Sequence, residues 1–239
     1  MSAGGPWELG DVPPMPPLEA ASNQFCCVCD NPAAHRCGQC KSGHYCSTAC
    51  QVNDWPTHAI LCKDFLRLER PEGNFQRALF FPQREPLPRF IWIPYSFRVA
   101  DGEDGYPRGF KELSTDLKAV RELLGLTSMD SGDFGHIPGT HRELHPSIYF
   151  FCKNIDKDDG YFYYNQSIAT STNDGATITQ VLGDRVVLLL QSMWARLKEE
   201  PTEETIERLS DPRNVDITMD DFRTVINFFR TNESRVPIS

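Results

Sequence analysis

The sequence has no apolar run of the ~18 or more residues needed to cross a bilayer. Residues 1–20, MSAGGPWELGDVPPMPPLEA, have neither a basic start nor an apolar core. With no membrane span and no secretory signal readable, the expected compartment is intracellular, cytoplasm and/or nucleus. Positive charge is also scarce: 24 Lys and Arg stand against 33 Asp and Glu, a net charge of −9. Binding to phosphates needs a cation-rich surface, so direct nucleic-acid contact is not expected. Neither a Gly-rich phosphate loop nor a G-x-S-x-G elbow occurs, which removes two common routes to nucleotide and acyl-transfer chemistry.

What the chain does have is cysteine, nine in all. Clustered thiols in a reducing compartment point to metal rather than disulfide, and the odd count argues against complete pairing. Between Cys26 and Cys62 they fall into pairs. Cys26 and Cys29 form one C-x2-C knuckle and Cys37 and Cys40 a second; Cys46 and Cys50 follow as C-x3-C, then His58 and Cys62 as H-x3-C. Zinc takes four tetrahedral thiolate or imidazole ligands, so eight ligands predict two closed structural sites with no position for a substrate water. The pairs can ligate consecutively or interleave. Interleaving is favoured: Cys26, Cys29, Cys46 and Cys50 on one zinc, and Cys37, Cys40, His58 and Cys62 on the other. Such a cross-brace ties distant segments together where apolar residues are too few for a separate core. Cys27 is the spare, because Cys27–Cys29 would be too tight for a knuckle. His35 and His44 do not stand at ligand spacing and are expected at the surface. Arg36, Lys41 and Lys63 balance Asp30, Asp54 and Asp64 before the thiolates are counted, so the finger is not basic.

Tyr45-Cys46-Ser47 and Cys50-Gln51, followed by Asp54-Trp55-Pro56 and His58, complete a pattern that resembles a MYND-type zinc finger over residues 26–62. A RING finger would end on C-x2-C, and a HIT-type finger fits the spacer holding Gln51 and Trp55 poorly. The resemblance implies a compact ββα-like module with interleaved ligation. It also implies recognition of proteins through short extended segments rich in Pro and Leu, at Gln51 and Trp55 with Tyr45 in support. The competing reading of Trp55 is that it fills the finger's small core. Pro16-Pro17-Leu18 resembles such a ligand and lies eight residues before Cys26, so an intramolecular contact with the finger is a specific expectation.

The chain divides into a Pro/Gly-rich tail (1–24), the finger (25–65) and a mixed domain (75–232), giving an α+β fold. A short helix is expected after Asp64, stopping at Pro71. Residues 75–97 suggest short, edge-like strands broken by four prolines, and Thr115–Leu124 a helix stopped by Gly125. Residues 127–147 read as a polar loop. A hairpin pairs Ile148–Cys152 with Tyr161–Tyr164, strands are expected at Thr177–Leu182 and Arg185–Gln191, and Thr202–Leu209 reads as a helix. Thr218–Phe229 reads as a helix with a capping-box-like Thr218-x-x-Asp221. His136, His141 and His145, with Cys152 nearby, outline a further metal site, but Arg142 stands where a metalloprotease motif requires Glu. Asp156–Gly160 fails the register of a calcium loop. No catalytic residues are assigned. A SET-type methyltransferase, in which such fingers are found inserted, is disfavoured: only 25 residues precede Cys26, and no Asn-His dipeptide occurs. The reading is a zinc-binding interaction module or adaptor. The alternatives are a divergent enzyme with its site in 75–232, or a transcriptional co-regulator acting through protein partners.

Overall fold

The computed structural model describes residues 12–18, 24–99, 111–125, 129–136, 143–153, 165–172, 186–190 and 216–231. The finger opens with two short antiparallel strands, β1 (His35–Arg36) and β2 (His44–Tyr45), and continues into helix α1 (Thr48–Arg67). This helix is far longer than the segment expected after Asp64. It starts where the Ser47 side chain accepts a hydrogen bond from the Cys50 N–H, and it runs through Pro56. A proline in mid-helix costs a ladder bond. Here Trp55, His58, Leu61 and Cys62 around it are all buried, so tertiary packing outweighs the break.

Beyond the finger a six-stranded sheet has the order β5-β4-β3-β8-β7-β6. Its strands are β3 (Phe75–Phe81), β4 (Arg89–Val99), β5 (Lys111–Thr115), β6 (Met129–His136), β7 (Glu143–Lys153) and β8 (Val186–Leu190). Every described neighbour pair is antiparallel. The expectation of edge-like strands over 75–97 is corrected: β3 is central and β4 interior. Pro94 stands just beyond the last β4–β5 pair, Tyr95↔Thr115, where no ladder bond asks for its N–H, and its carbonyl accepts from the Asp116 N–H at 2.9 Å. The polar loop expected over 127–147 is likewise corrected, since β6 and the start of β7 lie there, and the two strands pair from Met129↔Lys153 to His136↔Glu143. β7 therefore pairs with β6 and β8; the expected partner 161–164, the strand 177–182 and the helix 202–209 lie outside the described residues.

Side chains alternate across the sheet with period two. Leu79, Phe81, Phe90, Ile148, Phe150 and Cys152 face one side, while Ala78, Phe80, Ile93 and Phe151 belong to a cluster on the other. The second face is covered by helix α2 (Leu117–Leu124), which buries Val120; Asp116 caps its start, and Gly125 ends it in the left-handed region at φ 67°. The first face carries α1, a helix α3 (Gln166–Thr172) with no counterpart in the sequence reading, and helix α4 (Met219–Thr231). The capping box of α4 is present: Thr218 N–H donates to the Asp221 carboxylate at 2.8 Å, and Asp221 N–H to the Thr218 hydroxyl at 3.3 Å. Phe222, Val225, Ile226 and Phe229 are buried as expected.

The α+β part has its own small core under α2, but its larger core is shared with the finger. Cys37, Cys40, Tyr45, Trp55, Leu61 and Cys62 belong to the same continuous buried cluster as Leu79, Phe81, Ile148 and Phe222. Polar contacts tie the start of α4 to β3 and to the segment between the finger and β3. Arg70 and the Arg77 backbone both bond the Asp216 carboxylate just before α4, and the Arg77 guanidinium donates to the Ile217 carbonyl at 2.8 Å.

Candidate functional site

The two C-x2-C knuckles are built alike. In each, the residue after the second cysteine is in the left-handed region, Asp30 at φ 62° and Lys41 at φ 60°. Its N–H returns to the carbonyl of the first cysteine at 3.0 Å, Asp30 to Cys26 and Lys41 to Cys37. That turn points both sulfurs of a knuckle the same way. On α1 the H-x3-C spacing puts His58 and Cys62 one helical turn apart on one face.

The result is the interleaved arrangement. Ligand atoms of Cys26, Cys29, Cys46 and Cys50 lie within 4.8 Å of one another, and so do those of Cys37, Cys40, His58 and Cys62. Edges of the first set measure 3.4 Å (Cys29–Cys46), 3.5 Å (Cys46–Cys50) and 3.7 Å (Cys50–Cys29). In the second, Cys37–Cys62 is 3.8 Å and Cys40 Sγ to His58 Nε2 is 3.4 Å. A tetrahedron with Zn–S bonds of about 2.3 Å has S···S edges of about 3.8 Å, so both donor sets fit zinc. All nine cysteines are free thiols rather than disulfides. Each set supplies the four donors of a closed tetrahedral zinc site.

The sites differ in depth. The second set is buried throughout, whereas in the first Cys29 is exposed and Cys46 and Cys50 only half-buried. A backbone hydrogen bond from Asn31 is the main influence that lowers the Cys29 thiol to about 7. Hydrogen bonds from Cys40 and Cys62 hold the Cys37 thiol far below its usual range. Burial alone would lower His58, but its bonds to Cys37 and Cys40 outweigh that and raise it to about 10. A divalent cation entering such a set displaces these shared protons. Cys27 does not ligate: its sulfur faces Asp54 at 3.8 Å, and burial, with the Asp54 charge added, pushes its thiol well up.

The structure gives the Tyr45 and Asp54-Trp55 signature a specific role. Tyr45 is fully buried, and its hydroxyl donates to Asp54 Oδ2 at 2.7 Å while lying 3.0 Å from His58 Nδ1. Burial, then the Asp54 charge, pushes the tyrosine pKa far up, so it stays a donor to the carboxylate. With its lone pair facing Nδ1–H, the hydroxyl fixes the tautomer that leaves Nε2 free for metal. Trp55 is only 5% exposed and lies against the His58 ring, centroids 5.8 Å apart and planes 30° apart. Of the two expectations for Trp55, groove wall or core, its burial favours the core, and Tyr45, expected in support, is buried beside it against His58. Gly43 allows the close approach on the other side, since a Cβ there would stand 2.7 Å from His58 Cε1.

Asp54 also links the finger to α4. Its Oδ1 accepts from Arg223 at 2.9 Å, and Thr57 accepts from Arg223 and Arg230 at 3.4 and 3.2 Å. His44, expected at the surface, is held by Asp220: its N–H donates to that carboxylate at 2.9 Å and its ring meets the other oxygen. Burial works against protonation of His44, but the Asp220 bond and charge prevail and raise its pKa.

Gln51 is the third residue expected on the groove, and it is in contact with an extended segment. Its amide donates to the Pro13 carbonyl at 2.9 Å. Residues 12–18 run antiparallel along the free side of β1, with Arg36 N–H to Pro16 at 3.2 Å, Gly38 N–H to Pro14 at 2.8 Å, and Leu18 N–H to Ala34 at 2.9 Å. The expected contact of Pro16, Pro17 and Leu18 with the finger is thus present, made through backbone. His136 and His145 lie on β6 and β7, while His141 is outside the described residues. Among the described residues, groups of three or more potential metal ligands form only at the two finger sites. No described helix is long and apolar enough to cross a membrane.

Comparison with known proteins agrees with the geometry. Residues 26–62 match the family model of the MYND finger. The zinc finger MYND domain-containing protein 10 homolog of Drosophila melanogaster is 46% identical over 41 residues, 17% of this chain and 9% of that protein. Dauer abnormal formation protein 25 of Caenorhabditis elegans is 54% identical over 44 residues, covering 18% and 11%. The N-lysine methyltransferase SMYD2 of Mus musculus is 37% identical over 43 residues, covering 18% and 10%. This chain therefore spans about a tenth of the length of each of these relatives. No solved structure matches. Residues 26–62 are a MYND finger, a protein–protein interaction module with two Cys/His zinc sites.

Proposed function

We propose that this protein is an intracellular adaptor whose finger takes extended Pro/Leu-rich segments of other proteins by strand addition at β1. Cys26, Cys29, Cys46 and Cys50 hold one zinc, and Cys37, Cys40, His58 and Cys62 the other, while catalysis is not part of its role. The observation that carries the reading is the strand formed by residues 12–18, Val-Pro-Pro-Met-Pro-Pro-Leu, on β1 and the Gln51 amide. A proline-rich segment is already extended and loses little entropy on docking, and strand addition supplies affinity through the main chain. Gln51 is the polar anchor; Trp55 and Tyr45 act through His58. The methyltransferase name among the relatives comes with a match of 43 residues confined to the finger.

The test is fluorescence polarisation with labelled Pro/Leu-rich peptides and the full chain. Gln51→Ala removes one hydrogen bond, about 0.5–1.5 kcal/mol net, and is expected to weaken binding by roughly 2–12-fold. Zinc content should stay at two per chain. Absence of any peptide binding, or equal affinity in Gln51→Ala, refutes the reading.

A further inference from the structure

The segment that supports peptide recognition is also an obstacle to it. Residues 12–18 occupy the one edge of β1 not already paired with β2. Pro13, Pro14, Pro16 and Pro17 have no amide N–H, so the segment contributes mainly carbonyls. Those of Pro14 and Pro16 are placed two residues apart, against Gly38 and Arg36. The Leu18 N–H gives one bond back, to the Ala34 carbonyl. Val12 and Met15 pack against the buried cluster. The approach is close at Gly38: a Cβ there would stand 2.1 Å from the Pro14 carbonyl oxygen and 3.4 Å from Pro16 Cδ. Gly38 is not among the residues with positive φ, so its own backbone would accept alanine. Its missing side chain serves the bound strand.

We infer that residues 12–18 are a displaceable intrachain occupant of the peptide edge, and that Gly38 is the specificity-determining position that admits them or a competitor. This rests on the peptide-binding reading above and adds its regulation. The competitor is an extended proline-rich segment with carbonyls two residues apart for Gly38 and Arg36. Two residues further on it needs an N–H for Ala34, so proline is excluded at that position. A tethered occupant acts at a local concentration of roughly 1 mM. Against an intrinsic Kd on the order of 0.1 mM it masks the edge about tenfold.

The test uses a labelled peptide, Val-Pro-Pro-Met-Pro-Pro-Leu-Glu, with the full chain, a chain lacking residues 1–20, and Gly38→Ala in each. Removing residues 1–20 is expected to tighten binding about tenfold, and Gly38→Ala to weaken it at least tenfold in the shortened chain. Full-length Gly38→Ala should lose hydrogen-exchange protection at Leu18 and Arg36 while keeping two zincs. Should the shortened chain fail to fold, full-length Leu18→Pro, which removes the N–H that bonds Ala34 along with the leucine side chain, takes its place with the same expected direction. Equal binding by long and short chains would refute the intrachain occupant and leave peptide recognition standing. Protected Leu18 and Arg36 amides with no binding by any form would refute peptide recognition, making the segment purely structural. Dimerisation in sedimentation that is abolished with residues 1–20 would move the segment to a neighbour's finger and overturn the intrachain assignment.

Discussion

Replacing Arg223 with methionine tests whether finger and sheet form one cooperative unit. Methionine keeps most of the apolar stem and removes the guanidinium. In the native protein that group lies 2.9 Å from Asp54 Oδ1, with side-chain exposures of 11% and 2%. Removing one partner of a buried pair leaves an uncompensated charge and costs about 3–5 kcal/mol. An exposed pair would cost about 0–1 kcal/mol, so the two cases are well separated. At about 2–4 °C per kcal/mol for a chain of this size, Tm should fall by about 6–20 °C. A second consequence is specific to this geometry. Asp54 also receives the Tyr45 hydroxyl, which lies against His58 Nδ1, so a loosened Asp54 relaxes a ligand of the second zinc. Zinc release from Cys37, Cys40, His58 and Cys62 should therefore accelerate in Arg223→Met, while release from the other site stays as in wild type. Differential scanning calorimetry and a chromogenic zinc-release assay read the two effects. A Tm shift below about 2 °C, or equal acceleration at both sites, would refute the coupling.

Two further outcomes follow from the same geometry. Tyr45→Phe keeps the ring and deletes the hydroxyl beside His58, so affinity at the second site should drop about 10–100-fold in competition with a chelator, and unchanged affinity would show that the tautomer is fixed by other means. Excess chelator acting on wild type should remove zinc in two phases, first from the shallower Cys26, Cys29, Cys46 and Cys50 site; the slow phase should coincide with loss of helical circular dichroism, and a single phase for both metals would contradict the difference in depth.

The metal sites were legible because zinc ligation is local in sequence: knuckles and an i,i+4 pair specify geometry by spacing alone. The same holds for α2 and α4, where Asp116 with Gly125 and Thr218 with Asp221 mark the ends chemically. Strand β6 and the first part of β7, residues 143–147, were missed for a related reason, whereas Ile148–Cys152 was expected as a strand. Gly132, Gly135 and Pro146 read as turn residues, yet β6 needs only backbone pairing with β7, and β7 gains its stability from β8 on its other side. In α1, Pro56 looks like a terminus until the burial of its neighbours is counted. Long-range packing made each of these decisions, and periodicity in a single segment does not contain it.

The same limit left open whether Trp55, with Tyr45 beside it, lines a groove or fills the finger's core. Exposed aromatics are good peptide walls, and the sequence cannot say which aromatics are exposed. What decides the matter is α4, more than 150 residues away in the chain: Arg223 neutralises Asp54, and Asp220 holds His44, so the face of the finger bearing these residues is turned inward against the helix. The outer edge of β1, with Gly38, takes no part in that contact, and residues 12–18 lie along it and reach the Gln51 amide. On the reading proposed above, a partner reaches the finger by exchanging that strand, and its affinity reflects how firmly Pro14, Pro16 and Leu18 are held as well as the finger's own contacts.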